Sequence, residues 1–214
     1  MRLDHVSYVA SHDQISDVVN RIGSQIGTAF IDGGIHPKFG TRNFTAPLLN
    51  GQYIEVVCPM DHPATDATPF GRAVKKKAEE GGGWMTWVFS VEDISVVEEK
   101  FGRKAVEGHR KKPDGTELLW KQIGVNQITD SKELPFFIQW LATNHPSSDG
   151  VAISKFKNIE IASHDRLSKS FFKDSINDSL NEFSIEWVDV IKNENLSGIM
   201  SLKFTTPNGI VKID

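Results

Sequence analysis

The feature that most constrains this chain is an internal repetition. Ala10-Ser11-His12-Asp13 returns letter for letter as Ala162-Ser163-His164-Asp165, each time where an apolar strand hands over to a helix start. Asn50-Gly51, a hairpin-turn signal between apolar runs, returns as Asn208-Gly209. Leu3 to Ala10 alternates as a strand, and Ile15, Val18, Val19 and Ile22 then recur at helical spacing until Gly23. A glycine-rich loop, a strand over Phe44 to Leu48 and a strand ending at Cys58 complete a βαβββ unit. After a turn-rich connector and a charged helix from Phe70 to Glu80, the grammar restarts. Trp84 to Phe89 is a strand, Ile94, Val97 and Phe101 mark a helix, and Arg110 to Trp120 is a hairpin turning at Pro113-Asp114-Gly115. The apolar run Leu134 to Trp140 closes this second unit. A third begins at Phe156, with a helix carrying Leu167, Phe171 and Phe172 and strands over 183–191, 199–205 and 210–213. Three copies of one supersecondary unit account for the length better than one irregular domain. The expected organisation is α+β: modules 1–58 and 84–141, with connector 59–83, pair as a domain over 1–146, and a third module spans 151–214.

Composition narrows the function classes. A net charge of −4 gives no electrostatic footprint for nucleic acid, and no apolar run reaches membrane-spanning length. Cys58 is the only cysteine, so no intrachain disulfide forms, which fits a cytoplasmic protein. No Gly-x-Ser-x-Gly elbow, phosphate loop, dinucleotide fingerprint or Cys-x-x-Cys occurs. His62, His109 and His145 have no carboxylate or cysteine neighbours at metal-ligand spacing and are read as ordinary loop residues.

The chemistry concentrates between Gly33 and Glu55. Gly33-Gly34, Pro37 and Gly40 shape a loop that carries His36, Thr41 and Asn43, and the following strand delivers Tyr53 and Glu55. By alternation Ser7, Glu55 and Gln139 are expected to share the inward-facing side of His5. Polar groups sharing a buried face favour a small-molecule site over a core, since each costs about 1–3 kcal/mol unless paired. Glu55, set between Ile54 and Val56, must be paired, metal-bound or protonated; without metal, burial is expected to raise its pKa toward general-base work. The structural alternative is an ion pair to Arg42 or Lys157. Arg110, with Trp120 across its hairpin, is a candidate for an anionic or aromatic ligand.

Three segments carry a resemblance. They are Leu3-Asp4-His5-Val6; Gly34-Ile35-His36-Pro37 with Gly40-Thr41-Arg42-Asn43 and Tyr53-Ile54-Glu55; and Leu134-Pro135-Phe136-Phe137-Ile138-Gln139-Trp140 with His145-Pro146. Together they resemble the glyoxalase-like domain family, a branch of the vicinal oxygen chelate superfamily of glyoxalase I, extradiol dioxygenases and bleomycin-resistance proteins. The resemblance implies that two modules roll their sheets into a cup, with metal ligands, where present, on the first and last strand of each. Carried onto this chain, the ligands are His5 and Glu55, with Trp84 at the position matching His5 and Gln139 at the position matching Glu55. Trp84 cannot ligate and Gln139 is a weak neutral donor, so one divalent metal ion would need water, substrate oxygens or His36 to complete its shell. The implied catalytic set is Glu55, His5 and His36, and the substrate-binding set is Thr41, Asn43, Tyr53, Trp84, Thr86, Arg110 and Gln139. The implied activity is that of a lyase, isomerase or oxygenase on a small oxygenated substrate; the alternative is a non-catalytic binder of the bleomycin-resistance type. Within this cup the 36–43 loop is expected to form one wall, as a lid or substrate clamp, opposite Trp84, Thr86 and Gln139. The unpaired third module is expected to make a homodimer, or else to cap the first two.

Overall fold

The computed structural model describes residues 1–125, 132–141, 144–163, 183–193 and 196–214. The expected third-module helix with Leu167, Phe171 and Phe172, together with His164, lies outside these residues.

The first module runs β1 (Arg2–Val9), α1 (Ile15–Ile26), β2 (Ile31–His36), β3 (Thr41–Leu48) and β4 (Gln52–Pro59). Helices α2 (Pro63–Ala67) and α3 (Pro69–Glu79) form the connector. The second module runs β5 (Gly83–Ser90), α4 (Ser95–Phe101), β6 (Val106–Lys111), β7 (Glu117–Ile123) and β8 (Phe136–Trp140). Their eight strands close into a barrel in the order β1-β4-β3-β2-β6-β7-β8-β5. Within each module the first strand lies parallel to the last, β1 beside β4 and β5 beside β8. The modules meet along two antiparallel seams, β1 with β5 and β2 with β6. The second seam depends on Gly34: at its φ of 91° an added Cβ would sit 1.9 Å from the Lys111 carbonyl oxygen. Among the described residues, no helix is long and apolar enough to cross a membrane.

Alternation along the strands builds two apolar layers. Outward residues of β1, β4 and β5, such as Val6, Val56 and Phe89, pack with Ile15, Ile22 and Ile26 of α1 and Val97 of α4. Inward residues such as Val9, Val88, Leu118 and Ile138 form a second cluster with Phe70, Ala73 and Val74 of α3, so the connector helix seals the barrel interior. Helix α1 runs through Gly23, its expected stop, and ends instead at Gly27, whose φ of 70° supplies the left-handed C-cap.

The C-terminal strands β9 (Lys155–Ser163), β10 (Ser184–Asp189), β11 (Gly198–Thr206) and β12 (Gly209–Ile213) form a separate sheet ordered β10-β9-β11-β12. Here the first strand is internal, parallel to β10 and antiparallel to β11. In the barrel modules the first strand instead pairs with the fourth. The third unit therefore repeats the strand-and-turn grammar in a different strand order. Its sheet packs on the outside of the barrel: Phe156, Ile159, Ile161, Leu202 and Phe204 join the outer apolar layer.

Trp84 is part of that packing. The β1–β5 ladder shifts register between Ser7 and Tyr8, which pair with Thr86 and Trp84, leaving Met85 as the extra residue. The bulge sends Met85 into the inner cluster and Trp84 to the outer one. Trp84 meets Tyr8 edge-on, and its indole N–H donates to the Ile213 carbonyl at 3.0 Å. It ties the two sheets together and faces away from the barrel interior. Replacing Trp84 by Phe removes that hydrogen bond, and urea unfolding is expected to show a loss of about 1 kcal/mol with ligand binding in the barrel unchanged.

Candidate functional site

The barrel encloses a cavity of about 30 Å³, lined by His5, His36, Phe39, Asn43, Tyr53, Glu55, Phe70, Arg110, Trp120, Gln122, Phe136, Ile138 and Trp140. Its polar wall is built by β1, β3 and β4. Parallel pairing of β1 with β4 sets Ser7 against Glu55, and the Ser7 hydroxyl donates to Glu55 Oε2 at 2.5 Å. From β3, the Asn43 side-chain amide donates to Oε1 at 2.7 Å. Burial alone would raise the Glu55 pKa, but His5 and His36 close by and these two hydrogen bonds outweigh it, and the net direction is down. Glu55 is therefore an ionised, buried carboxylate at neutral pH, the reverse of the rise expected from its burial. It pairs with neither Arg42 nor Lys157; Arg42 bonds Asp32 on the barrel exterior.

His36 stands beside it. Its Nε2 lies 3.9 Å from Glu55 Oε1, and its Nδ1 lies 2.9 Å from the Thr41 hydroxyl. Burial is the main cause that lowers the His36 pKa, from 6.5 to about 4, with Arg110 adding to it against the pull of Glu55. The ring is neutral at physiological pH. With Nε2 toward a carboxylate, the favoured tautomer carries its proton there, and Nδ1 accepts from Thr41. His36 ends β2 and Thr41 begins β3, paired across a four-residue turn over 37–40. The segment is a wall of the barrel, as expected, and not a loop lid: the paired glycines lie within a strand that closes the β2–β6 seam.

His5 is held by a residue that sequence reasoning passed over. The β1–β5 register shifts between Leu3 and His5, leaving Asp4 as the bulged residue. Its buried carboxylate lies 2.9 Å from His5 Nδ1 and 3.0 Å from His145 Nε2, with the Trp140 indole N–H at 3.3 Å. Burial opposes ionisation of Asp4, but bonds from His145 and His5 overcome it and hold the carboxyl far below the usual range. His145 is therefore part of this network, not an ordinary loop residue. The imidazole of His5 stacks on Tyr53 with ring centroids 4.4 Å apart. Burial, aided by Asp4 and Glu55, pushes the Tyr53 phenol up, so it stays protonated.

Arg110 comes from the opposite module. It sits on β6, is 2% exposed, and turns into the barrel where Gly33 leaves room: a Cβ there would lie 3.0 Å from Nη1.

Four of the expected substrate-binding residues, Thr41, Trp84, Thr86 and Gln139, do not line the cavity. Gln139 points outward and caps α4, accepting from the Ile94 amide and donating to the Glu92 carbonyl. On β8 the inward positions are Phe136, Ile138 and Trp140, one residue out of step with the matching of Gln139 to Glu55. Trp84 is turned outward by the bulge at Met85. Thr86 is buried opposite Ser7 but does not line the cavity. Trp120 and Gln122, absent from the expected set, share an inward face of β7, where the Trp120 indole donates to Gln122 at 2.7 Å. Their alternation was readable; which face turned inward was not.

A family model described as a glyoxalase-like domain matches residues 3–170. The chain belongs to the glyoxalase-like domain family. A hypothetical protein from Staphylococcus aureus aligns over 100% of this chain and 98% of its own, at TM-score 0.68 and 16% identity. Methylmalonyl-CoA epimerase from Mycobacterium tuberculosis aligns over 65% of this chain and 86% of its own, at TM-score 0.43 and 12% identity. That from Streptomyces coelicolor aligns over 66% and 99%, at 0.44 and 13%. At these identities the likeness is one of fold. No curated protein matches the sequence.

The metal-ligand positions expected from the resemblance, on the first and last strand of each module, do not hold a fitting set in this barrel. His5, held through Nδ1 by Asp4, and Glu55, whose oxygens each accept one hydrogen bond, are the two donors that the first module offers. The second module contributes apolar Val88, paired with His5, and Ile138. Among the described residues, no three His, Cys, Asp or Glu side chains are grouped to hold an ion. Protein purified without chelators is expected to carry substoichiometric metal by elemental analysis, and EDTA to leave its melting temperature unchanged. A chelator-induced drop of several degrees would contradict this reading.

Proposed function

We propose that the barrel is a metal-independent enzyme site for proton transfer at a carbon next to a carbonyl, an isomerase- or lyase-type activity on a small oxygenated substrate. The observation that carries this reading is the juxtaposition of an ionised, buried Glu55 with a neutral His36 at 3.9 Å. A carboxylate base paired with a neutral imidazole electrophile is a division of labour used by isomerases acting beside carbonyls. In the proposed step Glu55 takes the proton from the carbon, and the C–H electron pair moves into an enolate. The His36 Nε2–H hydrogen-bonds the oxygen where that charge develops. Return of the proton to the other face or a neighbouring carbon completes an isomerisation; expulsion of a leaving group from the adjacent carbon completes an elimination.

Supporting positions are already set. Thr41 fixes the His36 tautomer, Ser7 and Asn43 aim the Glu55 carboxylate, and Asp4 orients His5 so that its second nitrogen remains available to the cavity.

The test is solvent exchange. A panel of small oxo compounds, among them pyruvate, methylglyoxal and oxaloacetate, is incubated with enzyme in D₂O and followed by proton NMR. At least one compound is expected to exchange its activated protons faster than in buffer, and Glu55→Gln to slow this by roughly 10²–10⁴-fold with the fold retained. Exchange that survives Glu55→Gln would contradict the base assignment. Saturable binding of panel compounds with no exchange would favour the non-catalytic binder.

A further inference from the structure

Arg110 presents an electrostatic account that does not close within the protein. Its side chain is buried, yet its Nε and Nη2 atoms have no hydrogen-bond partner among the described residues, and it takes part in none of their ion pairs. A guanidinium loses strong hydration on burial, and its five donors normally recover it through carboxylates or carbonyls. The obvious candidate, Glu55, is satisfied by Ser7 and Asn43. Gly33 keeps the backbone clear of the guanidinium, since a Cβ there would crowd Nη1 and overlap the Asn43 side-chain oxygen at 2.2 Å. Arg110 therefore lines the cavity while two of its donors stay buried and unmatched.

We infer that Arg110 is the receptor for the carboxylate of a small organic acid, so that the substrates of this barrel are carboxylates whose reacting carbon lies near the acid group. Two donors without partners match the two oxygens of a carboxylate in fork geometry. Arg110 lines the same cavity as Glu55 and His36, so an acid anchored on it has its neighbouring carbons near them. This inference rests on the proton-transfer reading for the reaction but not for the binding, and the experiment separates the two.

Binding is measured by thermal shift and calorimetry with pyruvate, glyoxylate and malonate, with their neutral counterparts methylglyoxal and acetamide, and with inorganic phosphate. Each is tested on the wild type, Glu55→Gln, Arg110→Met and Arg110→Lys. The wild type is expected to bind at least one acid saturably and at least tenfold tighter than its neutral counterpart. Glu55→Gln should bind it as well or better, because a nearby negative charge is removed. Arg110→Met should lose that preference, and Arg110→Lys should recover part of it. Unliganded Arg110→Met is also expected to melt at or above the wild-type temperature, because an unpaired buried charge has gone; a purely structural arginine would give a lower melting temperature. Equal binding of acids and neutral analogues, acid binding unchanged in Arg110→Met, or phosphate binding as tightly as the acids would overturn the inference. If Glu55→Gln abolishes exchange while Arg110→Met still prefers acids, the anchor fails and the proton-transfer reading stands. If acids bind through Arg110 and none exchanges, the anchor stands alone.

Discussion

Everything at this site depends on keeping a carboxylate charged inside a barrel. Transferring an ion the size of Glu55 into a protein interior costs several kcal/mol even after relaxation. Hydrogen bonds to a charged group return about 1.5–3 kcal/mol each, so the two from Ser7 and Asn43 offset much of that cost. Both donors depend on strand register: Ser7 faces Glu55 across the parallel β1–β4 ladder, and Asn43 reaches it from β3. A one-residue slip in either ladder would turn a donor to the outside and leave the charge unpaired. Barrel closure, held by Gly34 at the β2–β6 seam, is thus a condition of the site's chemistry as well as of its shape.

The two modules have divided their roles. The first supplies the ionised base, its two donors, the neutral imidazole and the Asp4–His5 pair. The second supplies an apolar wall of Phe136, Ile138 and Trp140, with one cation, Arg110. In a symmetric chelate both modules would offer ligands to a shared ion. Here the second has aliphatic and aromatic side chains at those positions, and the cavity's fixed positive charge is a guanidinium. Such a site gives up some stability in the unliganded protein for a preformed electrostatic field, a trade common where binding must be preorganised.

Much of this was legible in the chain, and the failures are specific. The repeated strand-helix-strand grammar and the turns at Asn50-Gly51 and Pro113-Asp114-Gly115 located the barrel strands, and alternation placed His5, Ser7 and Glu55 on one face. Three things were not readable. Bulges at Asp4 and Met85 reverse the alternation locally, which turned Trp84 outward and brought Asp4 beside His5. Matching Gln139 to Glu55 by apolar flanks was one residue out, because phase on β8 is set by closure against β5 and β7 and not by local sequence. The sign of the Glu55 shift depended on two donors, one of them 48 residues away in the chain, whereas burial alone pointed the other way. The third unit's changed strand order shows the same limit: similar strand grammar permits more than one pairing.

The central claim is a distribution of charge, and it can be measured directly. Carbon-13 NMR titration of protein labelled at glutamate carboxyl and histidine ring carbons, with Glu55→Gln and His36→Asn for assignment, reads both groups at once. The account predicts that Glu55 shows no protonation step above its ordinary value of 4.5, and that His36 stays neutral from pH 7 down to about 4. A Glu55 carboxyl that takes up its proton near neutrality, or a His36 that titrates at an ordinary 6.5, would contradict it.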